Sequence, residues 1–265
     1  MGAAQRRGEK AADAAWTEDR DRWHGGRLSQ IARRTASSPW RSGTVSLVSR
    51  APGLLARGPW APSDIDVAWR AEVFEPEPSA VQAADLAIAE LQRRGSPSHD
   101  GLAARLSSYD AGAHRLALEL QPIRWALRLT PAHASQSMSV VCIVRLQDGR
   151  WLAGRRASWL ATWPGRWALG AAGSVELDEH PAVTMARELR EEWSVDAERI
   201  TVEALLERPN GMVMLIGQAW LPDGAEVTPD REHDDFAWWP AEVSSWPIEA
   251  HEPLRGMGTL LAQAT

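Results

Sequence analysis

The sequence predicts an α/β domain over residues 133–265, preceded by a small α+β module at residues 42–132. Apolar, β-branched runs of strand length flank a segment with helical periodicity in the C-terminal half. That helical segment sets three carboxylates on one face, an arrangement whose mutual repulsion needs a cation nearby. The first 41 residues stand apart, with nine basic and five acidic side chains in a chain of net charge −6.

Taken in order, residues 1–41 are rich in Gly, Ser and Arg and are expected to form a disordered basic end. The whole chain has 28 Arg and one Lys, which points to coding bias rather than selection for phosphate contacts, so nucleic acid is not the expected partner. In residues 42–132, Val81, Ala84, Leu86, Ile88 and Leu91 follow a helical stripe over residues 78–94, stopped by Gly95. Residues 102–109 and 116–120, around a turn at 110–112, predict a β-hairpin. Trp125, Leu127 and Leu129 recur at a period of two and predict a further strand. No chemistry attaches to this module from its sequence.

Beyond it, residues 139–146 form an apolar run, Asp148-Gly149 marks a turn, and residues 150–155 read as the return strand. His180-Pro181 opens a helix, because proline at the first helical position has its φ preset and lacks an N–H that would be unpaired. Ala182, Ala186, Leu189 and Trp193 supply the stripe that packs on a sheet. Residues 212–220 read as a buried strand, an acidic run precedes Trp238, and residues 254–264 predict a closing helix. The 44% hydrophobic content suffices for a sizeable core. The single cysteine, Cys142, lies in a predicted strand and reads as a small buried hydrophobe. No run of about 18 apolar residues occurs, so no membrane span and a cytoplasmic location are expected.

Within the helix, Glu188, Glu191 and Glu192 stand at i, i+3 and i+4, on one face within one turn. Magnesium and similar hard cations take oxygen ligands, commonly a few carboxylates completed by substrate phosphates. Arg187 lies four residues before Glu191 and is placed to pair with it. Upstream, Gly173 and Glu179 precede this cluster at fixed distances that an ordinary solvated Glu/Arg helix would not require.

Together, Gly173, Glu179, Arg187, Glu188, Glu191 and Glu192 resemble the signature of the Nudix hydrolases, Gly-x5-Glu-x7-Arg-Glu-(apolar)-x-Glu-Glu-x-Gly-(apolar). Ser194 stands where the signature has its second glycine, a helix-ending position that favours the left-handed conformation and costs a serine about 1 kcal/mol. The resemblance implies an α/β/α sandwich with a mixed sheet. It also implies Mg²⁺, with Mn²⁺ as the alternative, held by Glu188, Glu191, Glu192 and the backbone carbonyl of Ala172. Glu188 or Glu232 would be the general base, Arg187 would orient a carboxylate, and Gly173 and Glu179 would support the site. Arg155, Arg156 and Arg166 are the nearest arginines for substrate phosphates. The implied activity is cleavage of a phosphoanhydride in a nucleoside diphosphate linked to another moiety, with a nucleotide substrate and, as in many relatives, a homodimer. The alternative is a catalytically silent Nudix-fold nucleotide sensor, in which the carboxylates are typically eroded; here all of them stand.

Overall fold

A computed structural model of the chain describes residues 45–46, 53–96, 100–130, 134–160 and 162–262. The basic end expected at residues 1–41 lies outside them. In chain order the elements are β1 (Val45–Ser46), β2 (Gly53–Trp60), β3 (Ile65–Trp69), α1 (Pro78–Arg93), β4 (Leu102–Gly112) and β5 (Arg115–Arg124). They continue with β6 (Met138–Arg145), β7 (Trp151–Arg156), β8 (Trp167–Leu169), β9 (Ala171–Ser174) and α2 (Pro181–Trp193). β10 (Arg199–Glu207), β11 (Val213–Trp220), β12 (His233–Trp239) and α3 (Glu252–Ala262) complete the set.

The larger sheet is mixed and runs β12-β7-β6-β11-β10-β2, with β8 on β7 and β9 on β6. β6 and β11 are parallel; the other pairs are antiparallel. Because successive strand residues face opposite ways, β6 feeds two cores. Val140, Cys142 and Val144 face one, with Met185, Leu189 and Trp193 of α2. Val141 and Ile143 face the other, with Leu254 and Leu261 of α3. Helices thus cover both faces, giving the sandwich. On α2, Met185 is fully buried, in the stripe position that the sequence had suggested for the half-buried Ala186.

The smaller sheet, β1-β4-β5-β3, is not a separate body. Leu106, Tyr109, Leu116, Leu118 and Leu120 join the same core as α2. β2 crosses over to pair with β10 in the larger sheet. α1 packs Ala80, Ala84 and Ile88 against Ile123, Ala126 and Leu127.

Two local expectations are corrected. The hairpin does not turn at 110–112: Ala111 pairs with Leu116 and Gly112 with Arg115, leaving the two-residue turn Ala113-His114. Residues Trp125–Leu129 form a 3₁₀ turn, not a strand. Its buried residues, Ala126 and Leu127, are adjacent, which a half-buried strand does not allow, and the turn meets α1 rather than a sheet edge.

At the centre of the larger sheet, β6 and β7 pair only at Arg145 and Trp151 and then separate. The chain from Trp167 to Ser174 fills the gap, first on β7 and then on β6. The change of partner occurs at Gly170, whose φ is +61° and where a Cβ would lie 2.0 Å from the Cys142 carbonyl oxygen. Strain and collision act together there. Gly170→Ala is expected to cost about 3 kcal/mol or more in chemical denaturation; a loss below about 1 kcal/mol would show that this crossing is not a fixed constraint.

Candidate active site

The site is built where α2 lies over β9. His180 caps the helix, its Nδ1 accepting from the Ala182 N–H at 3.1 Å, while Nε2 sits 3.1 Å from the Ile65 carbonyl of β3. Burial keeps its imidazole pKa below the ordinary value, which suits a neutral cap. The helix ends at Ser194, which adopts the left-handed conformation (φ 55°, ψ 37°) expected of that position. The loop that follows β11 straps this end down: the N–H of Thr228 donates to the Trp193 carbonyl and that of Asp230 to the Glu192 carbonyl, each at 2.9 Å.

Gly173 is what lets the helix come so close. A Cβ there would fall 1.7 Å from Glu188 Oε1, so any side chain at 173 would displace the carboxylate. Arg187 binds the cluster together. Its Nη1 donates to Glu188 Oε1 at 2.6 Å and to Glu191 Oε2 at 3.1 Å. Its Nε and Nη2 hold both oxygens of Glu179, at 3.0 and 3.1 Å, and Nη2 also reaches the Ser174 carbonyl at 3.2 Å. Glu179 is itself held by Thr184 Oγ1 at 2.8 Å and by the Glu176 N–H. Arg187 is therefore a fixed brace between the loop and the helix face.

Glu192 lies deepest, 3% exposed, with Oε1 accepting the Ala172 N–H at 3.0 Å. Its Oε2 is buried with no hydrogen-bond partner among the described residues, 3.7 Å from His233 Nε2. Burial pushes the Glu192 carboxyl well above the usual range, with the Glu188 and Glu232 charges adding to the effect. Burial also raises Glu188, against the pull of Arg187, to about 7. Glu191 and Glu232 are raised too, again first by burial. Glu232 enters from the start of β12, where its carbonyl accepts the Ala157 N–H at 2.7 Å.

Of the sequence candidates, Gly173, Glu179, Arg187, Glu188, Glu191, Glu192 and Glu232 come together, and Ala172 lines the same strand with a negative φ. The three arginines divide. Arg156, whose charge acts on Glu192, Glu232 and His233, faces the cluster. Arg155, one residue earlier on β7, faces away and lies 4.0 Å from Asp235. Arg166 is exposed, without a contact to the cluster. Two participants escaped the sequence: His233, buried under the Trp193 ring at 4.4 Å, and Arg128, which bonds Ser174 Oγ beside Gly173. No signal local to residue 128 marks it, since it lies 45 residues before Gly173.

Among the described residues no group of three or more His, Cys, Asp and Glu side chains forms a ready-made metal cage. Magnesium does not require one, since it keeps several waters and takes one or two carboxylates plus substrate phosphates. The donors fit such a cation: hard oxygens, clustered against their own repulsion, one of them buried without a hydrogen bond among the described residues.

The family model described as NUDIX domain matches residues 136–257. No curated protein matches the chain. Among solved structures, the MutT protein of Methanosarcina mazei Go1 is 21% identical, with 48% of this chain and 94% of that chain covered and a TM-score of 0.38. The NUDIX domain of Shewanella oneidensis NrtR, solved with ADP ribose, is 20% identical over 49% of this chain and 88% of that chain, with a TM-score of 0.40. A C. elegans Ap4A hydrolase is 15% identical over 48% and 96%, with a TM-score of 0.39.

The raised carboxyls carry a sign. A group whose folded pKa exceeds its unfolded value gives stability that is complete below the unfolded value and lost as pH rises through the folded one. For Glu188 that window runs from 4.5 to about 7. Chelator-treated protein is expected to lose on the order of 3 kcal/mol from this group alone between pH 4.5 and 7.5. Thermal melts across that range would show a falling midpoint; a flat or rising one would mean that the carboxyls are not buried as described.

Proposed function

Because residues 136–257 belong to the Nudix family, we propose that the protein is a Mg²⁺-dependent hydrolase of a phosphoanhydride bond in a nucleoside diphosphate linked to another moiety. One observation carries this reading. Glu188 and Glu192 are buried side by side on the helix face over Gly173 and Ala172, and Glu192 Oε2 has no hydrogen-bond partner among the described residues. Charges placed at such cost are retained where a cation and a phosphate complete them.

Glu188, Glu191 and Glu192, with the Ala172 carbonyl, would hold the metal. Mg²⁺ in that place, or Mn²⁺ as its substitute, supplies neutralisation of phosphate charge and acidification of a bound water. The chain's own residues do the remainder. Water attacks phosphorus, the bridging P–O bond breaks, and the leaving phosphate departs as an anion. The water's proton passes to Glu188 or Glu232: burial raises Glu188 to about 7, which suits a base at neutral pH, and raises Glu232 above the ordinary carboxylate value. Arg187, held by Glu179, keeps the Glu188 and Glu191 oxygens turned to the site.

The test is phosphate release with Mg²⁺ across a panel of nucleoside diphosphate derivatives, comparing wild type with Glu192→Gln. The variant is expected to lose about 100-fold or more in kcat. Its metal-free fold should be at least as stable, because a buried carboxyl is replaced by an amide. Equal turnover by wild type and variant would refute the reading.

A further inference from the structure

We propose that Arg128, carried by the segment before the Nudix domain, and Arg156, at the end of β7, form a guanidinium clamp for a second phosphate of the substrate. The clamp would make the preceding segment part of the substrate site, and it rests on the hydrolase reading for the bond that is broken.

The placement is set by hydrogen bonds. The 3₁₀ turn Trp125–Leu129 is anchored by the Ala126 N–H on Asp100 Oδ1 at 3.1 Å and by the Trp125 N–H on the Gly101 carbonyl at 2.8 Å. At its other side, Trp125 Nε1 donates to Ser174 Oγ at 3.0 Å, and Arg128 Nη1 donates to the same oxygen. Ser174 follows the glycine on which Glu188 lies, and its carbonyl accepts from Arg187. The head of Arg128 is therefore fixed at the border of the carboxylate face. The charge of Arg156 acts on Glu192 and Glu232 of that face and on Arg128 itself. The Arg156 backbone is held by Arg166 and Gly165, and its Nε donates to the Thr162 carbonyl at 2.9 Å, which leaves the terminal nitrogens.

What these two arginines lack is the informative part. Three other arginines of that segment are matched with acids, Arg70 with Glu119, Arg115 with Asp66, Arg124 with Asp85 and Asp100, and Arg105, which has no acid, is filled by the Ser135 carbonyl, Gln121 and Gln136. Among the described residues, neither Arg128 nor Arg156 has a carboxylate oxygen within 4.0 Å. Yet Arg128 is partly buried, and burial, partly offset by the Glu188 charge and reinforced by Arg156, depresses its pKa to about 10. Two cations whose charges act on each other, neither in a direct ion pair with a carboxylate, make an arrangement that an anion relieves. The planar guanidinium fork suits two oxygens of one phosphate. With one phosphate taken at the carboxylate face, the pair selects a substrate with at least two.

The probe is inorganic pyrophosphate, titrated calorimetrically into the full chain in saturating Mg²⁺. KM and kcat are measured alongside on any diphosphate the panel turns over. Arg128→Ala is expected to weaken pyrophosphate binding about 10- to 100-fold and to raise KM in proportion. Arg128→Lys, which keeps the charge and loses the fork, should fall between the two. Arg94→Ala, at an exposed arginine immediately after α1, should match wild type. Thermal midpoints establish that each variant is folded; if the alanine variant does not fold, the lysine variant decides. Unchanged pyrophosphate affinity in a folded variant, or no binding by wild type, overturns the clamp. Wild type that binds pyrophosphate through Arg128 but hydrolyses nothing leaves the clamp standing and removes the hydrolase. Turnover with KM unaltered in the folded variant removes the clamp and leaves the hydrolase.

Discussion

The burial of acidic side chains between α2 and β9 is the constraint on which the rest of the molecule depends. Carboxylates are ordinarily kept in water, since withdrawing them costs several kcal/mol unless partners compensate. Here Glu188 is 8% and Glu192 3% exposed, and they share one helical turn with Glu191. The chain compensates part of this cost through Arg187, which reaches Glu179, Glu188 and Glu191 at once. The remainder is felt in raised proton affinities and in a Glu192 oxygen with no hydrogen bond among the described residues.

The scaffold serves that contact. Trp193 anchors the end of α2 by donating from Nε1 to the Gly170 carbonyl at 3.0 Å, so the kink that redirects the strand also positions the helix. Gly217 admits the Met185 side chain, and Gly154 admits Trp193 and His233. The preceding segment adds a second support, because the Ala104 N–H donates to the Val175 carbonyl and Leu106 to that of Gln136. The loop bearing Ser174 is thus fixed from both halves of the chain, and the site is a product of their joint core.

How much of this was legible in the sequence follows from distance along the chain. The helix, its proline start, its left-handed serine and the face shared by Glu188, Glu191 and Glu192 are local consequences of 3.6-residue periodicity and of dihedral preference. Sequence spacing read them directly. The choice between Arg155 and Arg156 required the register of β7 against β12, since neighbours on a strand point to opposite sides. The 3₁₀ turn at Trp125–Leu129 was misread because three apolar residues at alternate positions mimic a strand, whereas its contacts to α1 depend on tertiary packing. Arg128 was silent for the same reason: its meaning arises only when Ser174 is brought beside it.

The proposed chemistry requires the buried carboxylates to be a cation site. Crystals soaked in Mn²⁺ and measured at the manganese absorption edge test this most directly. The expected result is an anomalous peak bonded to carboxylate oxygens among Glu188, Glu191 and Glu192, beside the Ala172 carbonyl. Its absence from that face in protein shown to be folded, or a peak only elsewhere, would contradict the account.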